Sequence, residues 1–196
     1  MKKVLLTAAA VSVLATSSAY AMENQFYLKA NVGWSKLNDY KGGGVKLKSK
    51  HDVHFGIGAG YHLMENARVD LTFDHFVNPT FKKSGVKVKG DVNTLLLNGY
   101  LDVFDVDAMQ VFVGAGVGLG QVKAKVTSSG ASSSAKKTNT FAFAGYVGTS
   151  YKFTQGVTGE LSYSYRDMGK TKKFGNGDKG AHFRGHHVTA GVRFDI

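Results

Sequence analysis

Val111-Phe112-Val113-Gly114-Ala115-Gly116-Val117-Gly118-Leu119-Gly120 repeats with a period of two. Val111, Val113, Ala115, Val117 and Leu119 are apolar, and Phe112 and four glycines alternate with them. Successive side chains of a strand point to opposite faces, so this stretch reads as a strand with one apolar face. The same alternation recurs on both sides of it, at 26–35, 53–61, 68–74, 94–101, 140–151, 157–166 and 187–196. Leu96 interrupts the polar face of the fourth run in chain order. Eight runs result, each near the ~9–11 residues that a tilted membrane strand requires.

Two architectures share this pattern. A soluble sandwich turns its apolar faces inward, whereas a membrane barrel turns them out to lipid. The N-terminus favours the membrane. Lys2 and Lys3 precede an apolar stretch from Val4 to Ala15, and Ala19-Tyr20-Ala21 ends in the small-x-small pattern of a secretory cleavage site. The expected leader is 1–21, and the expected mature domain is 22–196. After the leader no apolar stretch is long enough for a spanning helix. A mature chain in the membrane must therefore cross it as a closed barrel, because lipid leaves open sheet edges unsatisfied. Cysteine is absent and Pro79 is the single proline. The first excludes disulfides and thiolate metal sites, and the second suits a chain that is mostly sheet.

The connections alternate in length. Short ones fall near 63–66, 102–108 and 152–156, and long ones at 36–50, 78–90, 123–138 and 167–184. Short periplasmic turns alternating with longer outer loops are the topology of outer-membrane barrels. The expectation is an all-β, eight-stranded, antiparallel, up-and-down transmembrane β-barrel with four longer outer loops and both termini on the periplasmic side. Phe26, Trp34, Tyr61, Phe73, Tyr151, Tyr165 and Phe194 are candidates for its interfacial aromatic girdles. The terminal Thr189–Ile196 run places Gly191, Phe194 and Ile196 in a pattern that resembles the signal read by outer-membrane assembly machinery.

Eight strands enclose an interior that side chains can fill, so a wide pore is not expected. Inward glycines such as Gly56 and Gly114 leave room for Phe112, Tyr146 and Arg166. They do not form a dinucleotide-binding pattern, and no cofactor is expected. Lys29, Arg68, Asp70, Glu160 and Arg193 fall on the inward face near the periplasmic end. Buried charges must be paired. The reading is an interior network in which Arg68, Arg193 and Lys29 bridge Asp70 and Glu160 and hold the barrel shut.

The long loops are basic. The first three carry +4 each and the fourth +3, in a chain whose total is +11, so the remainder is net negative. Lys46 and Lys48 lie in the first; Lys82, Lys83, Lys87 and Lys89 in the second; Lys136 and Lys137 in the third; Lys170, Lys172 and Lys173 in the fourth. A field of one sign attracts acidic partners and speeds encounter. Lipopolysaccharide, sulfated glycans and acidic protein patches fit. Nucleic acid does not, since the loops lack interleaved aromatics and face the wrong compartment. Catalysis is not expected. Ser164, Asp167, His182, His186 and His187 are the right residue types, but adjacent strand histidines point to opposite faces. His51 and His54 lack the companions of a metal site.

The segments Glu23-Asn24-Gln25-Phe26-Tyr27-Leu28-Lys29, Gly58-Ala59-Gly60-Tyr61, Arg68-Val69-Asp70-Leu71-Thr72, Leu96-Leu97-Asn98-Gly99-Tyr100 and Gly191-Val192-Arg193-Phe194-Asp195-Ile196 resemble the candidate surface adhesins of Rickettsia. So do Val111–Gly118 and Gly169-Lys170-Thr171-Lys172. The resemblance covers most of the mature chain and is weakest in the loops. It implies an OmpA-like or opacity-type barrel that attaches to a host cell-surface or extracellular-matrix protein. No Arg-Gly-Asp is present. The alternative is a structural or narrow-channel barrel. The expected state is a monomer in the outer membrane.

Overall fold

The computed structural model describes residues 26–37, 40–42, 45–47, 51–77, 80–83, 86–128, 131–134, 138–170 and 182–196, with the side chains of 26–36, 52–77, 92–122, 138–169 and 184–196. The expected leader, 1–21, lies outside the described residues. In chain order the strands are β1 (Phe26–Leu37), β2 (Tyr40–Gly42), β3 (Val45–Leu47), β4 (His51–Met64), β5 (Ala67–Val77), β6 (Thr80–Lys83), β7 (Val86–Val106), β8 (Met109–Ser128), β9 (Ala131–Ser134), β10 (Thr138–Thr154), β11 (Val157–Lys170) and β12 (His182–Asp195). Eight of them form a closed antiparallel ring, β1-β4-β5-β7-β8-β10-β11-β12, which returns to β1. A hydrogen bond from Ile196 N to Phe26 O (2.8 Å) fastens the seam at its lower end. Closure leaves no barrel strand with an unpaired edge, the condition for crossing lipid as sheet.

The faces sort as the alternation requires. Leu28, Trp34, Phe55, Ile57, Leu97, Val117, Phe141 and Leu161 are among the exposed outward residues, whereas Asp70, Thr72, Asn98, Ser164, Arg166 and Arg193 are buried inside. Large apolar groups are exposed because their solvent is lipid. Of the girdle candidates, Phe26, Trp34, Phe73, Tyr151 and Phe194 are exposed, and Tyr61 packs edge-on against Phe26 with centroids 4.9 Å apart.

Two-residue turns at Glu65–Asn66, Asp107–Ala108 and Gln155–Gly156 join the strands at the lower rim. Asp107 takes φ of 53°, the left-handed region that aspartate tolerates better than most residues. Each incoming strand carries a register shift just before its turn, at His62/Met64, Asp102/Phe104 and Lys152/Thr154. Such bulges are frequent at barrel rims. Here they break the alternation so that consecutive apolar residues, Leu63-Met64 and Val103-Phe104, are both exposed at the rim.

The outer end departs from the expectation of loops. Residues 78–90 and 123–138 contain β6, the outer part of β7, the outer part of β8, and β9. β6 pairs with β7, β7 with β8, and β8 with β9. A four-stranded sheet thus stands above the barrel wall. β7 has 21 residues and β8 has 20, about twice what lipid requires. The first long connection contains the β2–β3 hairpin.

Candidate functional site

The lower half of the interior is an ion-pair network. Asp70 on β5 is fully buried, and Lys29 on β1 donates to its Oδ2 at 2.8 Å. Asn98 Nδ2 (2.7 Å) and Thr72 Oγ1 (2.8 Å) donate to its Oδ1. Lys29 Nζ also reaches Tyr100 Oη at 3.2 Å. Glu160 on β11 accepts from Arg193 NH1 (2.9 Å) and Arg68 NH2 (3.3 Å), and Arg68 also pairs with Asp102. The Arg68 guanidinium lies 4.9 Å from the Tyr100 ring centre and 4.7 Å from that of Phe112. All five residues named from the sequence meet in this region, but with a different pairing. Arg68 takes Glu160 and Asp102, and Lys29 alone among them pairs with Asp70. Asp102, which the sequence alone places in a short connection, lies within β7. His62 and Asp195, paired at 3.0 Å, extend the network to the rim.

Higher in the barrel Tyr146 Oη donates to Asn98 Oδ1 at 2.9 Å. Gly116 sits opposite Asn98, where a side chain would collide with the amide oxygen, so the glycine makes room for this polar layer. A cavity of about 30 Å³ lies beside it, lined by Lys29, Asn31, Tyr100, Tyr146, Glu160 and Arg166 among others. That is room for roughly two water molecules, not for a pore. Arg166 NH1 contacts Asp74 Oδ2 at 2.6 Å above the cavity. His54, His187 and Phe76 form a buried ring cluster near the outer end, with centroids 5.0–5.6 Å apart. Val92, Val122 and Met168 are also buried inside.

Among the described residues, Ser164, Asp167, His186 and His187 do not assemble into a hydrolytic triad. Ser164 and His187 are register partners, but Ser164 Oγ accepts from Arg166 Nε at 3.3 Å. Both ring nitrogens of His187 are without a hydrogen bond. His186 lies on the opposite face, against Tyr163 and Tyr165. Among the described residues no three His, Asp or Glu side chains are grouped to hold a metal ion. His51 begins β4, and its side chain is outside the described residues.

The lysines named from the sequence divide by position. Lys46 is in β3, Lys82 and Lys83 in β6, Lys87 and Lys89 in β7, and Lys170 ends β11. Lys48, Lys136, Lys137, Lys172 and Lys173 lie outside the described residues, as do the side chains of all eleven. Gly191 faces the interior beside Ala30 and Asn31, while Phe194 and Ile196 are exposed at the lower rim.

A family model described as outer membrane protein beta-barrel domain matches residues 6–194. A protein of Rickettsia conorii, named as a candidate adhesin, is 38% identical over 250 residues covering all of both chains. A similarly named protein of Rickettsia prowazekii is 37% identical over 222 residues, again covering both chains fully. Among solved structures, Neisserial surface protein A superposes with a TM-score of 0.63 at 20% identity, covering 87% of this chain and 97% of that one. The attachment invasion locus protein of Yersinia pestis gives 0.54 at 17% identity, covering 88% and 100%. It has also been solved in complex with the heparin analogue sucrose octasulfate.

Proposed function

The chain belongs to the outer membrane protein β-barrel family, and on that premise we propose that it is an adhesin whose basic outer end attaches the bacterium to host cell-surface or extracellular-matrix protein. The observation that carries the reading is the segregation of charge. The four outer connections hold an excess of positive charge larger than that of the whole chain. Relatives named as candidate adhesins over their full length support the activity. In this reading the interior network is scaffold. It fills the barrel and fixes its register, and the ligand meets the outer end without entering. The leader is removed after Ala21, Gly191, Phe194 and Ile196 serve assembly, and the barrel works as a monomer without catalysis.

The test replaces lysines with glutamine in two groups, Lys46 with Lys48 and Lys170 with Lys172 and Lys173, at equal surface display. Attachment to cultured epithelial or endothelial cells falls in the variants, and wild-type attachment weakens as salt is raised. Attachment that is unchanged in both groups and insensitive to salt assigns the chain instead to a structural or narrow-channel role. Planar-bilayer conductance then separates those two.

A further inference from the structure

Inside the outer end of the barrel, one row of register partners crosses neighbouring strands. It runs from Thr189 on β12 through Gly33 on β1, His54 on β4, Phe76 on β5 and Val92 on β7 to Val122 on β8. Phe76, Val92 and Val122 are buried at 1–2% exposure, and His54 at 0%. His187, the inward residue above Thr189 on β12, is also at 0% and meets His54 edge-on, with ring centroids 5.5 Å apart. Phe76 stacks on His54 at 5.0 Å and meets His187 at 5.6 Å. Gly33 makes room for this packing, because a Cβ there would lie 2.3 Å from His54 Cε1. Met168, at the register shift of β11, is buried as well. The result is a dry layer at the mouth, above the Arg166–Asp74 pair and the polar cavity.

Imidazoles destabilise such a layer relative to leucine or phenylalanine. His54 Nε2 and Thr189 Oγ1 lie 3.3 Å apart and share a hydrogen bond. His54 Nδ1 and both ring nitrogens of His187 have no hydrogen-bond partner among the described residues. A buried polar atom left without a bond loses its hydration and gains nothing in return. What an imidazole adds is the ability to take a proton near neutral pH, which no purely apolar side chain has.

Protons on the two rings would make them cations 5.5 Å apart, with the Arg166 guanidinium of β11 acting on both. Asp74 faces His54 from β5, but its Oδ2 already holds Arg166 NH1 at 2.6 Å. Asp52 on β4 lies across Ser35 from His187 and is the other buried acid at this level. His186 acts on His187 from the outward face of β12. Asp167 on β11 shares its register row with the outward Phe143 and Arg184. Among the described residues no charged side chain faces the layer from β1, β7, β8 or β10. The cations would outnumber Asp52 and Asp74, and a dry layer does not hold such charge, so water must enter with the protons.

We propose that His54, His187, Phe76, Val92 and Val122 form a proton-operated closure of the barrel's outer mouth, dry and shut while both imidazoles are neutral and open to water and small solutes when they are protonated. Gly33 and the Phe76 ring hold the imidazoles together in the shut form. The ion pairs deeper in the wall keep the barrel folded, so opening is confined to the outer end. The closure requires only the closed barrel and does not depend on the adhesin reading.

The chain has no cysteine, so a single one introduced by Val92→Cys reports on the layer. Its reaction with a small methanethiosulfonate is timed in the folded barrel in detergent and in the same chain unfolded in urea. The ratio of the two rates removes the pH dependence of the thiol itself. Measurements at about pH 7.5 and about pH 5 lie on either side of the ordinary imidazole value of about 6.5. The folded-to-unfolded ratio rises about tenfold or more on acidification, since about 1.5 units below that value the open form gains up to about thirtyfold per ring. In H54F/H187F the ratio stays flat. Gel mobility shows the folded barrel at both pH values. If V92C or the phenylalanine pair does not fold, V122C and H54Q/H187Q take their places with the same outcomes expected. A ratio that does not change with pH overturns the proposal. So does an equal rise in the double histidine variant, which would assign the opening to Asp52 or Asp74. Loss of the folded band at acid pH overturns it too, because the closure is local.

Discussion

The lower and upper parts of β7 and β8 keep one ladder but reverse the chemistry of its two faces. From Leu95 to Val103 the apolar residues Leu95, Leu97 and Leu101 are exposed and the polar Thr94 and Asn98 are buried. At Val92 and Val122 the apolar residues are the buried ones. The reversal marks where lipid gives way to water, because an alternating strand puts its apolar set away from whichever solvent is polar. Asn93 and Gln121, directly opposed, sit at the change and hydrogen-bond His75 (2.6 Å) and Asn139 (3.4 Å) on the flanking strands.

The wall depends on its interior ion pairs. Lys29→Ala leaves Asp70 buried with no cation against it, and breaking such a pair costs about 3–5 kcal/mol. We expect a large fall in the unfolding midpoint in urea, read by gel mobility of the folded barrel. Lys29→Ala/Asp70→Asn recovers much of the loss, because the uncompensated charge is gone. A double variant as unstable as the single would show that packing of the Lys29 stem matters more than charge.

The sequence gives up the wall more readily than the upper sheet. Eight apolar-out runs, an even strand count and short turns alternating with long connections leave one closed topology. The upper sheet is also written in period two, as Val86, Val88, Gly90 and Val92 against Lys87, Lys89 and Asp91. It reads as loop because its apolar residues fall in the opposite phase to those of the wall and because Gly85, Gly90 and the Ser-rich 127–134 stretch look like breaks. The interior charges are legible by face but not by partner. Arg68 and Asp102 are 34 residues apart, and only the register across β5 and β7 brings them together. Asp102 sits at the Asp102/Phe104 bulge, and a shifted register is invisible to a strict alternation.

Moving a charge from one region to the other tests where lipid ends. Ala115→Arg puts a guanidinium on the outward face four residues below Leu119, near mid-membrane, and costs about 2–4 kcal/mol, whereas Leu119→Arg, at the upper limit, costs about 0–1 kcal/mol. Folding titrations into vesicles compare the two. Equal costs would mean that the lipid boundary lies above the Asn93–Gln121 level.

A smaller effect is expected inside the polar layer. Tyr146→Phe removes the hydrogen bond to Asn98 Oδ1 and costs about 1–2 kcal/mol, since the amide oxygen is buried. No change in the urea midpoint would mean that water in the adjoining cavity replaces the lost hydroxyl.

The smallest effect carries the most information about the upper sheet, because its sign differs from the others. Lys89→Gln removes one member of a like-charged cross-strand pair with Lys125. In detergent free of lipopolysaccharide the substitution should stabilise the barrel by about 0.2–1 kcal/mol, the range of a directly opposed pair. Among the described residues the ion-paired charges inside the wall face opposite charges, so removing one of them is a loss. A destabilising Lys89→Gln in clean detergent would mean that the lysine stem packs on the sheet and that electrostatic opposition is minor. A stabilising one shows that the sheet holds repulsion in reserve. An anion relieves that repulsion, so the gain should shrink when the detergent is made anionic or the salt is raised.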